Sequence, residues 1–81
     1  MIACELYDYV EIACMYRYPI NLVLKSGERV QCVALDTARN DQGEECIKVD
    51  IDGTVSLVVL DDISVLEARI NNPHFKSVSF Q

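Results

Sequence analysis

The hydrophobic positions of this chain change their period once, near Pro19. Upstream, Val10, Ala13 and Cys14 recur at i, i+3 and i+4, the spacing of one helix face. The first sixteen residues therefore read as a helix. Asp8-Tyr9-Val10-Glu11 fits a capping box, with Asp8 accepting from the Glu11 backbone N–H and Glu11 reaching back to Asp8. Tyr7 before it and Ile12 after it are placed for a hydrophobic staple. Pro19 stops anything helical and pushes Tyr18 towards extended geometry.

Downstream the period drops to two. Ile20, Leu22 and Leu24 alternate, KSGE makes a turn, and Val30, Cys32 and Ala34 alternate back. TARNDQGEE, residues 37–45, is a polar loop. Ile47, Val49 and Ile51 form a third strand, and Asp52-Gly53 is a strong two-residue hairpin signal. Val55, Leu57 and Val59 return as a fourth strand. LDDI turns the chain, residues 63–70 form a fifth strand, and NNP at 71–73 ends it. HFKSVSF is left as a short edge strand or a loose tail.

One helix and five strands in hairpin order make a mainly β, single-domain chain spanning residues 1–81, with the tail 71–81 unassigned. Strands this short over so small a core close most economically into a barrel, which also limits exposed edges. The expected architecture is a small five-stranded antiparallel barrel of Sm-like (SH3-like) type, capped by the helix. An OB barrel shares the strand count. At 81 residues the chain has room for one core, and its 51% hydrophobic content suffices to fill it. No run of about 18 apolar residues is present to span a bilayer. The opening residues show neither a basic n-region nor an apolar h-region, so no signal peptide is expected and the expected address is the cytoplasm.

Charge narrows the partners. Thirteen acids against seven bases leave a net charge of −6. Such a surface repels phosphate backbones, which need Lys and Arg to displace counterions. It suits a basic protein partner, and it also keeps a small domain in solution.

The cysteines stand at 4, 14, 32 and 46. Two ends of one helix ten residues apart lie about 15 Å from each other, beyond the roughly 7 Å a disulfide allows. No pair shows the short C-x₂₋₄-C spacing of a zinc site. The cysteines are expected as free thiols, with no metal and no cofactor. Cys14, Cys32 and Cys4 are read as small apolar core residues, and Cys46, on the face opposite Ile47, as partly exposed. Catalysis is not expected. The single histidine, His74, has no nucleophile motif beside it, and the three glycines sit singly in turns instead of forming a phosphate loop.

The opening C-x-x-Y-D-x-x-E-x-A-C, realised as Cys4, Tyr7, Asp8, Glu11, Ala13 and Cys14, resembles the start of the Rof-like Rho-binding antiterminators of bacteria. The likeness continues through LVLKSGERVQ (22–31), Asp36, the Gly53 turn and LDDI (60–63). It covers roughly residues 2–66. The resemblance implies an Sm-like barrel with an N-terminal helix. It also implies binding to the RNA-binding N-terminal domain of the termination factor Rho, blocking of RNA loading, and antitermination. The contact set it implies centres on Tyr7, Asp8 and Glu11, with Glu5 at an acidic position of the family. Asn40 and Gln42 are added from the loop after Asp36, where ARNDQGE departs from the family pattern. The free protein is expected to be a monomer without direct affinity for nucleic acid.

The alternative is an Sm-like RNA-binding or ring-forming protein. Against it, Lys25, Arg29 and Arg17 are scattered among acids. The hydrophobic-Arg-Gly signature of RNA-binding Sm proteins is also replaced here by VVLDDISV, with Asp61 and Asp62 where a base would be wanted.

Overall fold

Alternation of apolar side chains and three turns with glycine at positive φ generate an all-antiparallel sheet. The computed structural model describes residues 4–80. Helix α1 (Cys4–Met15) is followed by β1 (Pro19–Leu24), β2 (Arg29–Arg39), β3 (Glu45–Ile51) and β4 (Thr54–Val59). A single 3-10 turn (Leu60–Asp62) leads to β5 (Ile63–Ala68), and β6 (Ser77–Ser79) ends the chain. The sheet order is β4-β3-β2-β1-β5-β6. The fold is thus mainly β with one N-terminal helix. The sheet has six strands, not five, and its outer strands are not paired to each other. The expected closure fails for a local reason: the tail supplies β6, which takes the edge of β5 that closure would have used.

The helix starts earlier than the capping-box pattern suggests. Residues 4–7 are helical, so Asp8 lies in the helix interior and caps nothing, and Tyr7–Ile12 is not a staple. Of the sixteen residues expected in the helix, 1–3 lie outside the described residues. Tyr7, Tyr9 and Ile12 instead pack against the core. Burying apolar area of that size is worth more than the roughly 1 kcal/mol of a cap. The C-terminus is closed by Arg17 in the left-handed region (φ 53°). The Tyr18 N–H donates to the Ala13 carbonyl at 2.9 Å and the Arg17 N–H to that of Cys14 at 3.2 Å. This is a Schellman arrangement built on a non-glycine residue. Pro19 then opens β1.

Val10, Ala13 and Cys14 of α1 meet Ile20, Leu22, Cys32, Ala34, Ile47 and Val49 of the sheet, with Leu60, Ile63 and Leu66 completing the core. Two irregularities shape the sheet. In β2 the register with β3 shifts between Ala34 and Asp36, so Leu35 is the extra residue of a bulge. Pairing resumes beyond it, and β2 runs on to Arg39 through residues expected to be loop. The loop shrinks to 40–44, because the ladder with β3 satisfies the backbone of Thr37, Ala38 and Arg39. In β5 a second shift, at Ser64, turns both Ile63 and Leu66 inward. That strand ends at Ala68, short of the expected residue 70.

The β3–β4 hairpin corrects the expected inward set of β4. Asp52 (φ 51°) and Gly53 (φ 90°) make a two-residue turn of the I′ kind. The register Ile51↔Thr54, Val49↔Ser56, Ile47↔Val58 therefore puts Thr54, Ser56 and Val58 on the core side. Val55 and Leu57 face out, 59% and 44% exposed. Cys46 is also corrected: it does lie opposite Ile47, yet it is only 1% exposed. It is flanked by Ala38 and Val59 on the neighbouring strands, and its thiol donates to the Glu44 carbonyl at 3.4 Å.

The tail is anchored. Asn72 donates through Nδ2 to the carbonyls of Ile70 and Phe75, and its Oδ1 accepts from the N–H groups of His74 and Phe75. The turn so formed holds the Phe75 ring edge-on to Tyr9, and His74 stacks on Tyr16 with centroids 5.2 Å apart.

Candidate functional site

With Val10, Ala13 and Cys14 inward, helical geometry leaves Cys4, Asp8, Glu11 and Met15 on the opposite face, and Glu5 at its border. All five are exposed. Tyr7 is half-buried between this face and the core. Residues 4–15 contain three acids and no base. Glu5/Asp8 and Asp8/Glu11 are like-charge pairs at i, i+3, each destabilising an isolated helix by about 0.2–0.5 kcal/mol. Among the described residues no ion pair or hydrogen bond engages these three carboxylates. The stripe is held by burial of the other face, against its own electrostatics.

Next to it, the last turn of α1 and the β2 bulge enclose a groove of about 310 Å³. Glu11, Cys14 and Met15 line it from α1 and Leu35, Asp36 and Thr37 from β2, with Arg17 also in the lining. The Asp36 Oδ1 accepts from the Thr37 N–H at 2.8 Å. The place of Asp36 in this site depends on the bulge. The one sequence signal for it is the break of alternation at Ala34-Leu35, two apolar residues in succession.

Asn40 and Gln42 belong to a different element, the β2–β3 loop, four residues (about 13 Å of extended chain) and more beyond Asp36. Asn40 organises that loop. Its Oδ1 accepts from the N–H groups of Gln42 and Glu44, and its Nδ2 donates to Glu44 Oε1 at 2.8 Å. Arg39 donates to the Gly43 carbonyl at 2.7 Å and pairs with Glu45 at 3.5 Å. Gln42 is exposed. The structure thus gathers Glu5, Asp8 and Glu11 on one helix face, with Tyr7 at its margin, and holds Asn40 and Gln42 apart from them.

The four cysteines are free. Cys4 is exposed, correcting its assignment to the core, because it falls on the outer face of α1. Among the described residues no three His, Cys, Asp or Glu side chains are grouped to hold a metal. Burial pushes the Cys14 thiol up from 9.0 to about 11, with Asp36 and Glu11 adding to the rise and Arg17 opposing it. Burial likewise raises Cys32 to about 11, against the pull of Arg69. Both thiols therefore stay neutral in the fold at a pH where an unfolded chain ionises them. Their contribution is complete below pH 9 and lost as pH rises towards 11. A thermal midpoint that declines over this interval is expected. At about pH 8, near the ordinary thiol range, a thiol reagent should modify Cys4 rapidly and the other three cysteines only on unfolding. Rapid labelling of all four would contradict the burial.

No helix among the described residues is long and apolar enough to cross a membrane. No curated protein sequence matches the chain. Among solved structures it is similar to YaeO from Vibrio cholerae O395, in a structure described as bound to magnesium. The two are 41% identical, the alignment covers 93% of this chain and 97% of that one, and the TM-score is 0.88. A family model described as modulator of Rho-dependent transcription termination matches residues 1–80. With the matched model running from the acidic helix through the tail strand, the chain belongs to the ROF family, regulators of Rho-dependent termination.

Proposed function

We propose that this protein binds the RNA-binding N-terminal domain of Rho through the exposed acidic face of α1, and so keeps nascent RNA from loading and reduces termination. The observation that carries this is the stripe of Glu5, Asp8 and Glu11, exposed and without a counter-ion in its own helix. A surface that must cradle RNA is basic, and an acidic stripe complements it. Tyr7 beside the stripe adds apolar area, and Asn40 and Gln42 offer amide contacts from the β2–β3 loop. The net charge of −6 favours the encounter with a basic partner and disfavours direct RNA binding. The protein acts in the cytoplasm as a monomeric regulator and uses no cofactor.

Competition tests this. Labelled single-stranded RNA is bound to Rho and the protein is titrated in, then the order is reversed. Each ligand is expected to weaken the other by the same factor, as linkage requires. Simultaneous occupancy without mutual weakening would overturn the mechanism.

A further inference from the structure

We propose that the groove between α1 and the β2 bulge receives one arginine side chain of the partner, its guanidinium between Glu11 and Asp36 and its methylene stem along Met15 and Leu35. The proposal rests on α1 being the surface that meets Rho. Three features of the groove support it. First, its volume of about 310 Å³ lies at the lower end of the range for small-ligand sites, the size for a single long side chain with water. Second, its walls are apolar where a stem would lie: Met15 is 71% exposed and Leu35 is the bulged residue beside Asp36. Third, its two carboxylates come from separate elements. Glu11 belongs to the acidic stripe, and Asp36 is turned to the exposed side by the register shift after Ala34. Two carboxylates brought to one groove by different elements suit the planar five-donor fork of arginine better than the point charge of lysine. The Asp36 carboxylate, which accepts from Thr37 through Oδ1, keeps acceptor capacity for an incoming guanidinium. Arg17, also in the lining, subtracts one positive charge's worth of attraction and leaves the pair of acids in excess.

The test uses the full chain and intact Rho. Asp36→Asn retains an oxygen for the Thr37 N–H and removes the charge. It is expected to weaken Rho binding about tenfold with an unchanged melting temperature. Arg17→Gln is expected to tighten binding several-fold, the opposite sign, which a purely structural role for the groove would not produce. Combining Asp36→Asn with Glu11→Gln should cost less than the product of the single losses, because both carboxylates meet one guanidinium. If Glu11→Gln weakens binding while Asp36→Asn and Arg17→Gln leave it unchanged, the groove proposal is overturned and the α1 surface stands. If the parent chain does not bind Rho, both fall together.

Discussion

Replacing Asp8 and Glu11 together by lysine is expected to weaken Rho binding by at least a hundredfold and to leave the fold intact. Each carboxylate offers a charge-assisted hydrogen bond, a class worth about 1.5–3 kcal/mol, and about 1.4 kcal/mol is a factor of ten. Removing two such bonds reaches a hundredfold, and lysines placed against a basic surface add repulsion. Stability should not follow. Both positions are exposed and inside the helix, lysine is a better helix former than aspartate, and the change turns the Glu5/Asp8 repulsion into an attraction while positions 8 and 11 remain a like-charge pair. The same geometry reverses what the capping-box pattern implies for Asp8→Ala. A lost cap would cost about 1 kcal/mol, whereas an interior aspartate replaced by alanine should leave the melting temperature unchanged or slightly raised. Circular dichroism melts and competition binding check both halves. Parent-like affinity in the double lysine variant would move the binding surface away from α1, and a lower melting temperature for Asp8→Ala would restore Asp8 as a cap.

Leu66→Ala is expected to cause the largest loss of stability. Leu66 is fully buried in β5, opposite Leu22 of β1 on one side and Val78 of β6 on the other. Truncation leaves a cavity at the strand that links the first hairpin to the tail. Leucine-to-alanine changes in such sites cost about 2–5 kcal/mol. A domain of this size has on the order of 4–12 kcal/mol in total. At about 4–8 °C per kcal/mol, the melting temperature should fall by roughly 10–30 °C. A fall of only a few degrees would mean that β5 is not packed as described.

Much of the fold was legible because local period reports which face is apolar. Val10, Ala13 and Cys14 marked the buried helix face, and Ile20, Leu22, Cys32, Ala34, Ile47 and Val49 the inner sheet face, all of which are core residues. The inward parity of β4 was also legible: a two-residue turn after Ile51 forces Thr54, not Val55, onto its face. There the apolar residues outvoted the geometry, since an edge strand tolerates exposed valine and leucine. The excess of acids at the N-terminal end needed only composition, and the family likeness lay in the opening motif; that Glu5, Asp8 and Glu11 share one helix face follows from the helix beginning before Asp8.

What tertiary structure alone decided are the features that depend on a second element. Asp8 fits a capping box in isolation, but whether a helix begins there depends on whether Tyr7 has a core to pack on, and it has. Cys46 sits opposite a buried residue and would be exposed on a flat sheet, yet it is enclosed by neighbours from two strands. Closure of the sheet turned on where the last residues lie, and β6 took the free edge of β5. Asp36 joins Glu11 in lining one groove only because Leu35 bulges from β2. Periodicity along a chain states which side of an element is apolar. It carries no information about which partner covers that side, or about where one extra residue shifts a strand, because those are settled by distant segments competing for the same surface.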